Sequence, residues 1–266
     1  MTKLSKLNIN EIERNGQWKN IDPEITGIET NSTRVEKGNI FLAKAGTTKN
    51  SHGVLFSNQA IERGASLVIT DPEGFKFALE NDLKPIIPFL LVRNLESTFD
   101  HLCQIFYPDK PKFVMGVTGT NGKTSVVNFS QQLIEKKNNS CVTIGTLGVG
   151  GVLSLRTDNT TPDQSFIARI LQMAKLKGAN YALLEVSSHS IVQKRIKNLA
   201  FNVFCFTNLS QDHLDYHKDM ETYFHAKLSI LDMLRLDTNI IVNIDDEFGK
   251  IFLAKAKDKG FKTETI

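Results

Sequence analysis

Hydrophobic and polar positions alternate in blocks along the chain, and the blocks predict an α/β protein. From Phe113 onward, apolar runs such as FVMGVT, CVTIG, YALLEVS and FNVFCFTN are separated by stretches with helical spacing. Near-continuous apolar strands joined by helices are typical of a parallel sheet covered on both faces. The predicted helices cover residues 123–137, 163–177, 220–236 and a segment that begins at Asp246.

The first hundred residues carry shorter patterns. Apolar runs at 38–45, 66–70 and 89–93 predict strands, and amphipathic stretches at 54–63 and 95–107 predict helices, which together indicate a small α/β unit. The segment YPDKPK at 107–112 is polar and holds two prolines, as domain linkers do. We therefore predict two domains, 1–108 and 112–266, the second a P-loop-type ATPase sheet.

Composition narrows the class of protein. The 266 residues are 41% hydrophobic and 23% charged, which is typical of a globular protein with a sizeable core. A net charge of +3, with both signs interspersed, does not favour nucleic acid as a partner. Three distant cysteines indicate reduced thiols and a cytoplasmic location. No apolar run approaches the ~18 residues of a membrane span, so we expect no membrane insertion.

The string TGTNGKT at 118–124 lies between a predicted strand and a predicted helix. In such loops glycines let backbone N–H groups approach phosphates, a lysine reaches the β and γ phosphates, and a threonine holds Mg²⁺. Lys123 and Thr124 occupy these positions, so ATP is the predicted ligand. Val117 stands where the standard motif has its first glycine, which counts against an ordinary GTPase or motor ATPase. The alternative is a glycine-rich surface turn.

Further polar clusters follow the apolar strands, where ligands of open parallel sheets bind. Glu185 ends YALLEV and predicts a Mg²⁺ contact; the alternative is that it only caps the next helix. His213, in the run DHLDYH, is a candidate metal ligand, whereas His217 and His225 are interpreted as structural. By periodicity alone, Lys227 is a solvated helix lysine.

The strings GVTGTNGKT, DNTTP, EVSSHSIVQKR, FTNLSQDHLDYH and ETYFHAK, in this order, resemble the Mur ligases of peptidoglycan synthesis. Among these enzymes the similarity is to the MurE type, the UDP-N-acetylmuramoyl-tripeptide synthetases. Residues 31–70 resemble their uridine-nucleotide-binding N-terminal domain. The resemblance implies an ATP-dependent ligase that adds meso-diaminopimelate or L-lysine to UDP-N-acetylmuramoyl-L-alanyl-D-glutamate through an acyl phosphate.

The resemblance also implies roles for particular residues. ATP phosphates are expected at Gly119, Thr120, Asn121, Gly122, Lys123, Thr124 and Ser125. Two Mg²⁺ ions are implied, the first near Thr124 and Glu185, the second near His213 and a Lys227 carbamylated by CO₂. The catalytic set is then Lys123, Glu185, His213 and Lys227. The muramoyl-peptide is expected at Asn159, Thr160, Thr161, Ser187, Gln193 and Arg195, and the UDP at Thr33, Thr47, Thr48 and Lys49.

The resemblance also implies a C-terminal domain that binds the incoming amino acid, and we expect this sequence to lack it. We therefore expect the chain to be the N-terminal portion of a synthetase, monomeric and inactive alone. The residues predict no choice between diaminopimelate and lysine. One alternative is a non-catalytic UDP-muramoyl-peptide or nucleotide-binding protein. Another is a ligase of the folylpolyglutamate or cyanophycin type, which is not expected to carry a uridine-type first domain.

Overall fold

The computed structural model describes residues 1–14, 20–46, 51–83, 87–197, 199–211 and 218–266. The chain forms two compact units, Met1–Pro108 and Asp109–Ile266. The boundary between them falls inside the proline-containing segment 107–112.

Unit 1 is built on a five-stranded sheet. The seven strands described in unit 1, two of them outside this sheet, are β1 (Thr2–Lys3), β2 (Glu11–Arg14), β3 (Glu24–Ile25), β4 (Gly27–Glu29), β5 (Asn39–Leu42), β6 (Leu67–Thr70) and β7 (Phe89–Val92). Its helices are α1 (Ser57–Glu62), α2 (Pro72–Glu80) and α3 (Leu95–Phe106), with short 3₁₀ turns at Leu4–Leu7, Ser32–Arg34 and Gly53–Phe56. The sheet order is β2-β7-β6-β5-β4, parallel except for β2, and β1 pairs separately with β3.

Alternation along these strands buries both faces of the sheet. Ile40, Leu67 and Leu90 share one face and pack with Phe99 of α3. Phe41 and its neighbours on the other face pack against α1 and α2. Successive side chains of a strand point to opposite faces, so strands that are apolar at every position require cover on both sides.

Unit 2 contains a seven-stranded sheet. Its strands are β8 (Phe113–Thr118), β9 (Cys141–Gly145), β10 (Gly148–Gly151), β11 (Tyr181–Glu185), β12 (Val203–Phe206), β13 (Asn239–Val242) and β14 (Lys262–Thr265). Its helices are α4 (Lys123–Lys136), α5 (Gln164–Leu176), α6 (Ser188–Val192), α7 (Met220–Leu228) and α8 (Glu247–Asp258), and a 3₁₀ turn covers Ser229–Asp232. The order is β10-β9-β11-β8-β12-β13-β14, parallel except for β10.

The predicted α/β class with parallel sheets is confirmed, and the differences are local. The structure adds β10, which forms an antiparallel hairpin with β9; its sequence GVGG has no alternation that would reveal a strand. The helix predicted over 220–236 ends at Leu228 and continues only as a 3₁₀ turn. Helix α2 was not predicted, although Asp71 caps it and Pro72 opens it, a common helix start.

Strand order determines where the site forms. β11, β8 and β12 are adjacent and parallel, so their carboxyl ends lie at one edge of the sheet. The loops that follow these three strands are thereby brought side by side. Among the described residues, no helix is both long and apolar enough to cross a bilayer.

Candidate nucleotide and metal site

The loop between β8 and α4 has a backbone that requires glycine at two positions. Gly119 has φ +149° and Gly122 has φ +85°. A Cβ at Gly119 would lie 1.9 Å from Thr207 Oγ1, so this residue has no room for a side chain. The loop delivers the chain into α4, whose first backbone N–H groups have no intrahelical partner and suit an anion.

A polar cavity of about 390 Å³ lies at this loop. Most of its lining comes from the loop between β8 and α4, which we call the phosphate loop, and from the start of α4. The β9–β10 turn, the loop before α5 and the end of β11 supply the rest. The lining residues are Thr120, Asn121, Gly122, Lys123, Thr124, Ser125, Thr146, Thr160, Glu185 and Ser187. The structure thus brings together most of the residues predicted for ATP and the first Mg²⁺. Gly119 is buried beneath this lining.

Two lysines meet at the carbonyl oxygen of Gly119. Lys123 Nζ donates to it at 2.8 Å and to the Thr120 carbonyl at 2.9 Å. Lys227 Nζ donates to the same Gly119 oxygen at 3.0 Å and lies 4.7 Å from the centre of the Tyr223 ring. Lys227 is only 1% exposed. The periodicity-based interpretation of Lys227 as a solvated lysine is therefore wrong, because α7 turns this side chain toward the phosphate loop.

Glu185 is buried among hydrogen-bond donors. Its carboxylate accepts from Thr124 Oγ1 at 2.9 Å, and from the backbone N–H and hydroxyl of Thr146, each at 3.0 Å. Such bonds offset the cost of burying a carboxylate. The α6 N-cap is Ser187, whose hydroxyl accepts from the Ser190 N–H at 3.2 Å. The alternative that Glu185 merely caps this helix is wrong.

The donor set fits Mg²⁺. Thr124 Oγ1 and Glu185 Oε2 are hard oxygen atoms within hydrogen-bond distance of each other, and Mg²⁺ commonly takes one or two protein oxygens together with phosphate oxygens and waters. Across the described parts of the chain, no three His, Cys, Asp or Glu side chains cluster as a metal cage. A magnesium ion here would therefore depend on the nucleotide for much of its coordination. His213 lies outside the described residues.

The residues predicted for the muramoyl-peptide divide into two groups. Thr160 and Ser187 line the cavity, and Thr160 Oγ1 lies 3.1 Å from Thr146 Oγ1. Thr161 is buried instead: its hydroxyl donates to the Glu185 carbonyl at 2.8 Å and accepts from the Ser187 N–H at 3.0 Å. Thr161 therefore fixes the turn after β11.

Arg195 lies next to this turn, held by two neighbours. Its Nη1 donates to the Thr161 carbonyl at 2.7 Å, and its Nε donates to Gln193 Oε1 at 2.8 Å. Gln193 thus orients the guanidinium plane. Asn159 is exposed in the loop that leads to Thr160 and Thr161.

In unit 1, Thr33 is exposed on the 3₁₀ turn Ser32–Arg34, where its hydroxyl donates to Asn31 Oδ1 at 2.8 Å. Thr47, Thr48 and Lys49, the other predicted UDP contacts, lie outside the described residues. A larger cavity, about 690 Å³, lies beside α3 and does not include Thr33. It is lined by Asn8, Ile9, Asn10, Arg93, Asn94, Ser97, Thr98 and His101.

Sequence reasoning missed three residues of the site in unit 2. Thr146 follows β9 as Glu185 ends β11, so its position at a strand end was a usable signal. Asn208 lies in the quoted run TNLS but received no role. Tyr223 precedes Lys227 by one helical turn and supports it, which becomes visible only once α7 is packed.

Two family models match the chain. A model described as "Mur ligase middle domain" matches residues 117–266, and one described as "Mur ligase family, catalytic domain" matches residues 24–98. The matched ranges fall in unit 2 and unit 1, respectively.

Relatives named UDP-N-acetylmuramoyl-L-alanyl-D-glutamate--2,6-diaminopimelate ligase are similar over most of the chain. The Phocaeicola vulgatus protein is 35% identical over 262 residues, 97% of this chain and 52% of that protein. The Clostridium tetani protein is 34% identical over 263 residues, which are 97% of this chain and 52% of that protein. The chain thus spans about half the length of the curated relatives it matches.

Solved structures agree on the fold. A structure of UDP-N-acetylmuramoyl-L-alanyl-D-glutamate--2,6-diaminopimelate ligase superposes with a TM-score of 0.73 at 26% identity, covering 99% of this chain and 52% of that one. A MurF structure from Acinetobacter baumannii gives 0.60 at 18% identity, covering 92% and 48%, and shows the shared fold alone.

Proposed function

The chain belongs to the Mur ligase family, and on this premise we propose that it carries the nucleotide site of an ATP-dependent ligase of peptidoglycan synthesis. The proposed acceptor is UDP-N-acetylmuramoyl-L-alanyl-D-glutamate. The proposed third residue is diaminopimelate, because 2,6-diaminopimelate appears in the names of its relatives. The observation that carries the proposal is the hydrogen bond from Thr124 to the buried Glu185, beside Lys123 in one polar cavity.

The chemistry explains why these residues are needed. A carboxylate is a poor acylating agent, and transfer of the γ-phosphate to it provides a good leaving group. Lys123 would exchange its two loop carbonyls for phosphate oxygens. Thr124 and Glu185 would hold Mg²⁺, which would supply positive charge to neutralise the phosphate oxygens. The α4 N-terminus adds N–H donors to the same anion.

Lys227 is proposed to react with CO₂ and form a carbamate that, with His213, holds a second Mg²⁺. Lys227 and Lys123 donate to the same oxygen, so their nitrogens are at most 5.8 Å apart, the two bond lengths laid end to end. Like charges this close disfavour protonation of both amines at once, and CO₂ reacts with the neutral amine. The new N–C bond replaces one N–H bond of the amine, and that proton is released to water. The carbamate keeps one N–H, so the bond to Gly119 can persist.

The muramoyl-peptide is proposed to bind beside the cavity at Asn159, Thr160, Ser187 and Arg195, with Thr161 and Gln193 acting through their neighbours. Arg195 has the planar fork that pairs with a carboxylate. Thr33, Thr47, Thr48 and Lys49 are proposed to hold the UDP. Two Mg²⁺ ions, a monomeric state and a cytoplasmic location complete the proposal.

Isothermal titration of the chain tests the proposal. We expect binding of ATP that requires Mg²⁺, binding of UDP-N-acetylmuramoyl-L-alanyl-D-glutamate, and no binding of a folate. Lys123→Ala should weaken MgATP binding about tenfold to a hundredfold, the effect of losing a hydrogen bond to a charged group. The matched control is Lys136→Ala at the exposed end of the same helix, which should bind as the unmodified chain does. Preferential folate binding, or equal affinities for the two variants, would contradict the proposal.

A further inference from the structure

The loop that follows β12, residues Thr207–Ser210, is hydrogen-bonded to the phosphate loop; we call it the clasp loop. Asn208 makes three of these bonds. Its backbone carbonyl accepts from the Thr120 N–H at 2.9 Å, and its side-chain Oδ1 accepts from the Asn121 N–H at 3.0 Å. Its Nδ2 donates to the Asn121 carbonyl at 3.2 Å. Asn208 therefore holds both polar groups of the Asn121 backbone.

The clasp loop is itself anchored on both sides. Thr207 Oγ1 donates to the Asn121 carbonyl at 2.7 Å, and the Ser210 N–H donates to Thr120 Oγ1 at 3.0 Å. From the opposite side, Asp246 Oδ2 accepts from the Leu209 N–H at 3.1 Å while its Oδ1 caps α8. The clasp loop is thus fixed between the phosphate loop and the start of α8.

These bonds decide which amides of the phosphate loop can meet an anion. The N–H groups of Thr120 and Asn121 are both directed at Asn208. The peptide groups that follow, from Gly122 into the first turn of α4, are the ones left to face the cavity. Turning the Asn121–Gly122 peptide the other way would direct the Asn121 carbonyl oxygen, in place of the Gly122 N–H, at the anion, where it would repel phosphate.

We propose that Asn208 is a positioning residue of the nucleotide site. It fixes the orientation of the two peptide groups that flank Asn121 and so determines which amides bind phosphate. The inference rests on the proposed nucleotide function and adds a residue to it. Asn208 acts through the phosphate loop, so its loss should change nucleotide affinity beyond any change in stability.

The chain provides a matched control. Asn202 lies just before β12 as Asn208 lies just after it, and Asn202 Oδ1 accepts from the Val114 N–H at 2.8 Å. Both asparagines therefore bond backbone beside β8, at opposite ends of the strand. Asn208→Ala should weaken MgATP binding in titration about tenfold or more, whereas Asn202→Ala should lower the melting temperature without changing affinity.

Amide exchange measured by NMR without nucleotide gives a second readout. We expect slow exchange at the Asn121 amide in the unmodified chain and fast exchange in Asn208→Ala. Asn208→Asp retains the acceptor and should restore the protection. Fast exchange in the unmodified chain, or normal MgATP affinity in Asn208→Ala, overturns the positioning role alone. A protected amide in a chain that binds no nucleotide would overturn the proposed function, and the role that rests on it.

Discussion

At the scale of single residues, both units contain charged side chains that are largely buried and contact hydrogen-bonding groups or aromatic rings. Glu185 meets hydroxyl and amide donors, and Lys227 meets a carbonyl oxygen and an aromatic face. In unit 1 the Lys44 ammonium lies 4.1 Å from the centre of the Phe99 ring. Burial of a charge is costly unless such contacts compensate, so each of these residues has measurable consequences.

Lys44 should make stability rise with pH. Burial lowers its pKa from 10.5 to about 8, although Cys103, Asp100 and Glu96 oppose the shift. Between these two values the unfolded chain binds more protons than the folded one, so the free energy of unfolding increases across that window. Relative to Lys44→Met, the unmodified chain should gain about 1–3 kcal/mol from pH 7 to pH 10 in urea titrations. Parallel pH curves for the two proteins would contradict this.

Asp71 should act in the opposite pH range. The buried His52 ring, whose Nε2 lies 3.3 Å from Asp71 Oδ1, lowers the pKa of Asp71 below its ordinary value of 3.8, and the α2 N-cap bond from the Gly74 N–H adds to the shift. Its stabilisation is therefore present above pH 3.8 and is lost as pH falls through the lowered pKa.

Asp71→Asn should cost about 1 kcal/mol at pH 7, a modest value because Asp71 is partly exposed, and progressively less as pH falls below 3.8. Thermal unfolding over this pH range provides the measurement. Glu73→Gln removes a carboxylate from the same helical turn and serves as the control. An Asp71 effect that persists undiminished in acid would rule out the ionised Asp71 carboxylate as its source.

At the scale of elements, the β9–β10 hairpin completes the candidate metal site. Its turn contributes Thr146, which bonds Glu185 through both backbone and hydroxyl. The last residue of β9, Gly145, lies directly against the Glu185 side chain. The hairpin therefore helps Thr124 to set the position of the carboxylate.

Gly145→Ala should disturb Mg²⁺ dependence more than stability. A Cβ at Gly145 would lie 2.1 Å from Glu185 Oε1, so the carboxylate must move away from Thr124 and Thr146. We expect a several-fold higher Mg²⁺ requirement for nucleotide binding, measured by magnesium titration at fixed ATP. The control is Gly178→Ala. There φ is +87°, and a Cβ would have no atom within 4 Å apart from its chain neighbours, so the substitution should cost only about 1 kcal/mol of stability. Equal magnesium curves for both variants would contradict the role of Gly145.

At the scale of the whole molecule, each unit has a hydrophobic core of its own. Leu90 and Phe99 belong to a core of unit 1, and Leu184 and Phe204 belong to the main core of unit 2. Each core is sandwiched between a central sheet and the helices connected to it, the usual arrangement of α/β domains. Local stability should therefore be set separately in the two units.

Leu90→Ala and Leu184→Ala test this division in the full chain. Each removes a fully buried side chain and should cost about 2–5 kcal/mol. Hydrogen exchange read by mass spectrometry should accelerate mainly in peptides of the unit that carries the substitution. Equal acceleration in both units, for either variant, would show that they unfold as one.

The sequence by itself determined the features that depend on neighbouring residues. Apolar runs and helical spacing predicted the α/β class, the central strands and the helices that begin at Lys123 and near Asp163. The run TGTNGKT predicted a phosphate loop, and Glu185 was identified from its place at a strand end. These signals are local, because the conformation of a short segment depends mainly on its own residues.

Only the tertiary structure decided which strand ends become neighbours and which side chains meet there. It placed Glu185 against Thr124 and Thr146, directed Lys227 to Gly119, buried Thr161 and joined Asn208 to Asn121. These partners lie tens of residues apart, and Lys227 lies more than a hundred residues from Gly119. Contacts of this kind follow from strand order and packing across the sheet, which no periodicity along one segment encodes.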